Sequence, residues 1–218
     1  MSSSSLTPGS RLNLSTEADV QTRAQTPIGV DFGVNVLIAA LPADAALDEA
    51  FIIEGDHLRK RYRILTAAMT ALQNSGFDST EGEIQLFTAM WRQIRAQVFD
   101  AAVRAVRYAQ QHSDPVLVIE DLSDDEYPLW NRRTGSEHWG WLLSALQTAL
   151  VCKANEAGVP ITAVDPAFTT QECHHCDEIG ECVRRMLKCT NDDCPVDYVC
   201  RDRSAASSIA KRSQQRDT

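Results

Sequence analysis

Apolar runs and polar segments divide the chain into a predicted order of strands and helices. Residues 1–26 contain six Ser and four Thr with little apolar periodicity, and we expect them to form a disordered stub. The pattern then changes, because residues 28–33 and 34–40 are nearly continuous apolar runs that predict two buried strands. Residues 50–54 predict a third, weaker strand.

Helical periodicity follows over two long segments. Asp56 is placed as an N-cap, and apolar residues recur at helical spacing from there to Gly76. A second long helix is expected from Ile84 to Gln111. The remaining predictions are a strand over 115–122, an exposed polar loop over 123–138, a helix over 139–157, a strand over 159–164, a helix over 204–212 and a polar tail over 213–218.

Three acidic residues interrupt or end these apolar patterns. Asp31 lies inside the first apolar strand, Glu120 follows another unbroken apolar run, and Asp202 precedes a run of small residues. A buried carboxylate is costly unless it is paired or bound to a metal. Because side chains alternate along a strand, only one of Glu120 and Asp121 can share a site with Asp31.

Parallel strands joined by helical crossovers would bring Asp31 and Glu120 together, and the final helix would add Asp202. Three converging carboxylates can hold two Mg²⁺ ions about 3.5–4 Å apart, an arrangement that hydrolyses phosphodiesters. Taken singly, each acid also has a plainer interpretation, as a turn residue, a strand end and a helix N-cap respectively.

Four cysteines in two pairs predict a second metal centre. Cys173 and Cys176 form a close pair, and Cys189 and Cys194 form a wider one about a dozen residues later, which is typical of a structural Zn²⁺ site. Closing the wider pair requires residues 191–193 to loop out. We expect His174 and His175 to be spectators, whereas Cys182 and Cys200 stay open as substitute ligands.

The charge balance is acidic and poor in lysine. The net charge is −9, with 17 Arg, 4 Lys and 18 Asp, a composition that we expect of a protein working in a salty cytoplasm. No secretory signal or membrane span is recognisable, and seven cysteines without an export signal favour a reducing cytoplasm. A membrane partner is therefore not expected.

Basic residues are concentrated at two places that offer phosphate contacts. The first helix carries the cluster Arg59, Lys60, Arg61 and Arg63, and Arg201 and Arg203 flank Asp202. A solvated helix face explains the first cluster equally well, and a capping or surface role explains the flanking pair.

Four motifs together resemble the TnpB/OrfB proteins of insertion sequences, which are relatives of the miniature type V CRISPR effectors. They are GVDFGVN at 29–35, VIEDL at 118–122, TTQECHHC at 169–176 and RDRSAA at 201–206. The resemblance implies a RuvC-type nuclease of the RNase H-like α/β fold, with a mixed sheet flanked by helices and an inserted zinc ribbon. It also implies a stub at 1–26, a nuclease core at 27–168, a zinc ribbon at 169–200, a final core helix at 201–212 and a disordered tail at 213–218.

The same resemblance implies the role of each site residue. Asp31 would bridge two Mg²⁺ or Mn²⁺ ions, Glu120 would bind one and Asp202 the other, and the four paired cysteines would hold a structural zinc. Two positions depart from the family pattern: Ser204 stands where Asn is usual, and Cys200 stands where many members have an additional Asp.

The resemblance also bears on partners, because family members carry an N-terminal half that holds a guide RNA and reads the target DNA. Only the stub precedes Asp31 here, so we expect a truncated form of the guided nuclease or one that needs a partner chain. The predicted function is a transposon-associated DNA endonuclease core. The alternative is a catalytically idle fragment or regulator that binds nucleic acid.

Overall fold

The computed structural model describes residues 25–74, 80–121, 133–134 and 137–214. Most of the stub expected at 1–26 and of the loop expected at 123–138 lies outside this range, as does most of the predicted tail at 213–218. The strands are β1 Thr26–Phe32, β2 Val36–Pro42, β3 Phe51–Glu54, β4 Pro115–Glu120, β5 Arg133–Thr134, β6 Glu137–His138, β7 Ile161–Val164, β8 Glu181–Val183, β9 Met186–Lys188 and β10 Tyr198–Cys200. The helices are α1 Asp56–Asn74, α2 Thr80–Ala109, α3 Gly140–Ala157 and α4 Arg201–Gln214.

Five strands form one mixed sheet in the order β3-β2-β1-β4-β7. Strands β1, β2 and β3 pair antiparallel, whereas β4 runs parallel to both β1 and β7. Helices lie in the connections between the parallel strands, because parallel neighbours cannot be joined by a tight turn. The expectation of a mixed α/β sheet flanked by helices is confirmed.

Alternate residues of β1 point to the two faces of this sheet. Ile28, Val30 and Phe32 are buried in the main core with residues of α1, α2 and α3. Gly29 and Asp31 therefore face the opposite side, where α4 lies. On that side, Ile209 of α4 packs with apolar residues of β4 and β7.

Helix α4 approaches β1 so closely that only glycine fits at position 29. A Cβ atom added to Gly29 would lie 2.0 Å from the carbonyl oxygen of Ala206 and 2.5 Å from the backbone nitrogen of Ala210. Neither backbone atom can yield without moving the helix, so the glycine fixes how near α4 comes to the sheet.

The zinc-ribbon segment predicted at 169–200 contains a small antiparallel sheet in the order β10-β9-β8. Strand β10 runs directly into α4, so the segment and the helix are continuous in the chain. The final helix begins at Arg201 and ends at Gln214, and it is longer at both ends than the predicted 204–212. Among the described residues, no helix is both long and apolar enough to cross a membrane.

Replacing Gly29 by Ala should destabilise the protein, because the new methyl group clashes with the backbone of α4. We expect a loss of roughly 3 kcal/mol or more in the free energy of unfolding, measured by urea denaturation. Gly158, which has φ of 68° and nothing within 4 Å of an added Cβ, provides the comparison. Its replacement by Ala should cost only about 1 kcal/mol. Equal losses would contradict the proposed close packing.

Candidate functional site

Two of the three predicted acids lie on neighbouring parallel strands. Val30 of β1 is in register with Ile119 of β4, so Asp31 and Glu120 follow at equivalent positions. Asp31 is 4% exposed and Glu120 is 3% exposed, whereas the adjacent Asp121 is exposed to solvent. The alternation expected from sequence thus gives Glu120, and not Asp121, the same face of the sheet as Asp31.

Helix α4 brings Asp202 to this face. Ala206, whose carbonyl lies against Gly29, is one turn after Asp202, and Asp31 is two residues after Gly29. Asp202 is therefore on the same face of α4 as Ala206, and Asp31 is on the same face of β1 as Gly29. Asp202 is 5% exposed, so all three carboxylates are buried at one side of the sheet.

Neighbouring polar groups hold two of these carboxylates. The hydroxyl of Thr169 donates a hydrogen bond to Oε1 of Glu120, and the Gln147 amide lies 3.3 Å from the Glu120 carbonyl oxygen. Nη2 of Arg201 lies 3.5 Å from Oδ1 of Asp202, and Nη2 of Arg185 lies 3.9 Å from its Oδ2. That Oδ2 atom is buried without a hydrogen-bond partner.

Two of the three acids open onto a groove of about 470 Å³. Asp31 and Asp202 line it together with residues from the β1–β2 turn, α3 and the zinc-ribbon segment, namely Phe32, Gly33, Val34, Asn35, Val36, Trp139, Leu143, Thr170, Arg184 and Arg201. The groove is thus lined by two carboxylates and two arginines, a combination suited to a phosphate held near cations.

The chemistry of the three acids fits divalent metal ions, because carboxylate oxygens are the ligands that Mg²⁺ and Mn²⁺ prefer. Among the described residues, only the four paired cysteines have three or more ligand atoms all within 4.8 Å of one another, so the three carboxylates are spaced more widely than that. Oδ2 of Asp202 is buried and accepts no hydrogen bond, so a metal ion could bind it.

The four predicted zinc ligands converge. Sγ of Cys173 lies 3.9 Å from Sγ of Cys194, and Sγ of Cys176 lies 3.6 Å from Sγ of Cys189. Tetrahedral coordination with Zn–S bonds of about 2.3 Å places sulfurs about 3.8 Å apart. The cluster can therefore hold a metal such as zinc. Neither Cys182, whose thiol contacts the Thr170 carbonyl, nor Cys200 belongs to it.

A side-chain turn closes the wider cysteine pair. The backbone N–H of Cys194 donates to the Asn191 carbonyl at 3.1 Å, and that of Asp193 donates to the Asn191 side-chain oxygen at 2.9 Å. Asn side chains commonly replace a backbone acceptor in this way. The predicted outward loop over residues 191–193 is thus a compact turn built by Asn191.

Without a bound cation, the four neighbouring thiols change one another's pKa values. A backbone hydrogen bond from Asn191 favours the Cys189 thiolate, but burial and the neighbouring thiols outweigh it and raise the pKa of Cys189 to about 12. Burial opposes ionisation of Cys176, yet the backbone of Glu178 and the other thiols together lower its pKa. Four thiolates can coexist here only around a cation.

His174 connects the zinc-ribbon segment at 169–200, called the cysteine module below, to α4. Its backbone N–H donates to Oγ of Ser204 at 3.2 Å, its Nδ1 lies 3.3 Å from the same oxygen, and its carbonyl accepts from Lys211. Burial, followed by the charges of Lys211 and His175, lowers the pKa of His174. Ser204 is one of the two positions at which the sequence departs from the family pattern. Its hydroxyl bonds the cysteine module to α4.

Comparison with known proteins identifies a similar family over part of the chain. Residues 144–209 match the family model described as Cas12f1-like, TNB domain. Over these residues, the predicted resemblance to relatives of the miniature type V effectors is confirmed. The matched region, called the TNB region below, extends from α3 through the cysteine module and most of α4, and so includes Asp202.

Solved structures confirm the RuvC-like fold. The chain is similar to a Cas12f1–sgRNA–target DNA complex, with a TM-score of 0.67 and 16% identity over 90% of this chain and 52% of that one. A CRISPR–Cas12f ternary complex gives 0.65 and 16% over 89% and 40%. The mini-RNA-guided endonuclease CRISPR-Cas_phi3 gives 0.53 and 14% over 85% and 44%.

The chain therefore spans about half the length of the solved structures it matches. No curated protein sequence matches it significantly.

The basic residues predicted to contact phosphate are partly engaged within the protein. Arg59 donates to the Asn35 side chain and lies 3.5 Å from Asp56, and Arg61 donates to Gln93. Lys60 and Arg63 line a depression on α1 that none of the three buried acids lines. In the TNB region, Arg203 donates to the Leu47 carbonyl at 3.2 Å, whereas Arg201 lines the groove.

The structure adds Arg184, Arg185 and Thr169 to the candidate site. The two arginines form the turn between β8 and β9 in the TNB region, and they reach the groove or Asp202 only because that hairpin folds back over the sheet. The sequence signal for them was slight. Adjacent arginines lie between Val183 and Met186, whose strands pair as a tight hairpin.

Replacing Cys194 by Ser should remove the bound metal and lower thermal stability, since a structural metal site contributes directly to folding. Metal content and the midpoint of thermal unfolding, measured with and without a chelator, test this expectation. The matched control is Cys182→Ser in the same module, which should keep both the metal and the stability. Metal loss in the control, or retention in Cys194→Ser, would contradict this set of ligands.

Proposed function

We propose that this chain is the RuvC-type core of a TnpB-like DNA endonuclease, which hydrolyses phosphodiesters with two divalent metal ions. The observation that carries the proposal is the arrangement of three buried carboxylates: Asp31 and Asp202 line one groove, and Glu120 lies beside Asp31 on the neighbouring strand, on the same face of the sheet. Uncompensated charges of one sign are costly in such a position. A pair of divalent cations would offset them.

Each carboxylate has a distinct role in this proposal. Asp31, on the central strand, would hold the ions together with Glu120 from the neighbouring strand and Asp202 from α4. When bound, Mg²⁺ or Mn²⁺ would supply an activated water and stabilise the leaving oxygen. Thr169 orients Glu120 through its hydroxyl, which is the kind of outer contact that tunes a metal ligand.

The cysteine module would act as a structural zinc ribbon. It is bonded to α4 at several points, since Ser204 accepts from the His174 N–H at 3.2 Å, Lys211 donates to the His174 carbonyl and Arg212 pairs with Glu172. A rigid module would keep Arg184 and Arg201 at the edge of the groove, where they would contact the phosphate backbone. We expect no covalent intermediate with the protein.

Target selection is a further part of the proposal. The similar structures are a Cas12f1–sgRNA–target DNA complex, a Cas12f ternary complex and a mini-RNA-guided endonuclease, and this chain covers about half of each. In such systems, base pairing within a protein channel selects the sequence. We infer that guided cleavage needs a guide RNA and protein elements beyond the covered half, in the same polypeptide or in a partner chain.

One observation favours a second candidate function, nucleic-acid binding without catalysis. Asp202 is already next to two arginines, Arg185 and Arg201, so that part of its charge is neutralised without a metal. A regulator derived from a transposon protein would use the groove for binding alone. Cleavage measurements distinguish the two functions.

Replacing Glu120 by Gln should abolish metal-dependent cleavage of labelled single-stranded DNA, measured in Mg²⁺ or Mn²⁺ at high salt. The loss should exceed about 100-fold, because even outer contacts of metal ligands contribute 10–100-fold. Asp121→Asn removes the same charge from the next residue, which is exposed. It should retain cleavage.

Folding and zinc content should be unchanged in both variants. A folded, zinc-loaded wild-type chain that does not cut would favour the binding function. Equal activity in Glu120→Gln and the wild type would contradict the catalytic assignment.

A further inference from the structure

The hairpin turn of the TNB region holds an arginine beside the third acid. Nη2 of Arg185 lies 3.9 Å from Oδ2 of Asp202, and the same nitrogen lies 3.4 Å from Oε2 of Glu54 at the end of β3. The Arg185 side chain is half-exposed, as is that of Glu54, whereas Asp202 is buried. The guanidinium of Arg185 therefore lies between an exposed and a buried carboxylate.

A hydrogen bond to the start of α4 holds the backbone of Arg185 in place. Its carbonyl accepts a hydrogen bond from the N–H of Arg201 at 3.0 Å, one residue before Asp202. The turn contains two residues, and Arg184 has φ of 57°, a value typical of the first position of tight hairpin turns. The hairpin therefore holds the guanidinium within reach of Asp202 whether or not the two are in contact.

The contact between Arg185 and Asp202 is weak enough to be exchanged. The 3.9 Å separation is too long for a hydrogen bond, and Oδ2 is buried without one. The pair between Arg185 and Glu54 is exposed, and exposed ion pairs contribute little stability. Arg185 already donates a hydrogen bond to Glu54 at 3.4 Å, so it can give up its contact with Asp202 at little cost.

A divalent cation and Arg185 would compete for the same oxygen. A metal ion bound by Asp202 would use the Oδ2 atom, which accepts no hydrogen bond, and a guanidinium at 3.9 Å would repel that ion. Arg201 is in a different position, because it approaches Oδ1 and its own Nε is buried.

We propose that Arg185 is a positioning residue that bridges Asp202 and Glu54 in the metal-free site and transfers wholly to Glu54 when a divalent cation binds. This inference rests on the proposed two-metal function. It adds a device that offsets part of the charge of the buried carboxylate before the metal arrives. Arg185 weakens metal binding by competition, and Glu54 relieves that competition.

The test is the binding of Mn²⁺ to the full zinc-loaded chain without nucleic acid, followed by electron paramagnetic resonance of the free ion. Arg185→Gln should bind Mn²⁺ about threefold to tenfold more tightly than the wild type, because it removes a competing cation. Arg185→Lys keeps the charge and should remain near the wild-type affinity.

Lys188→Gln is the matched control. It removes the same charge from strand β9 of the same hairpin, but among the described residues Lys188 does not line the groove and lies over the ring of Tyr198, so its effect should be less than twofold. Glu54→Gln should weaken Mn²⁺ binding, because Arg185 loses its alternative partner. In the double variant with Arg185→Gln, most of that weakening should disappear.

Equal Mn²⁺ affinity in Arg185→Gln and Lys188→Gln would overturn the inference, as would a Glu54→Gln effect that persists without Arg185. If Arg185→Gln does not fold, Glu54→Gln decides the outcome, because unchanged binding in that variant contradicts the transfer. Failure of the proposed function gives a different result. The wild type would then bind no Mn²⁺, or its binding would be unaffected by Glu120→Gln.

Discussion

Helix α4 packs directly on strand β1, and the position of the third acid depends on that contact. Gly29 has no side chain, so the carbonyl of Ala206 can lie where any other residue would place its Cβ atom. Asp202 is one turn from Ala206 and Asp31 is two residues from Gly29. If the helix were held a few ångströms further out by a side chain, Asp202 would no longer share a groove with Asp31. The close approach of two backbones at one glycine thus determines the geometry of a polar site.

The same helix determines where the cysteine module lies. Strand β10 continues into α4, and Ser204, Lys211 and Arg212 each bond to the segment around the first cysteine pair. The four sulfurs converge at distances that suit one tetrahedral metal, so the module can be rigid when metal is bound. Rigidity there transfers to the hairpin that holds Arg184 and Arg185. Asp202 and the arginines of the groove are thus positioned by one continuous piece of chain.

The sequence predicted the parts of this site that local patterns determine. Asp31 and Glu120 interrupt or end apolar strands, and strand alternation predicted that only one of Glu120 and Asp121 shares the face of Asp31. The register of β1 and β4 gives that place to Glu120. Cysteine spacing indicated the four converging thiols because two short loops nearly fix their geometry. Arg185 was not predicted, because its contact with Asp202 depends on how a hairpin folds back over a distant sheet. Charge counting also singled out Arg59 and Arg61 but could not show that their guanidinium groups bind Asn35 and Gln93.

Asp31, Glu120 and Asp202 are proposed to hold two divalent cations together. The most direct measurement is the anomalous diffraction of manganese in crystals of the zinc-loaded protein soaked in Mn²⁺. We expect two manganese peaks about 3.5–4 Å apart, with Asp31 contacting both. A single peak, or none at these carboxylates in a fully folded protein, would contradict it.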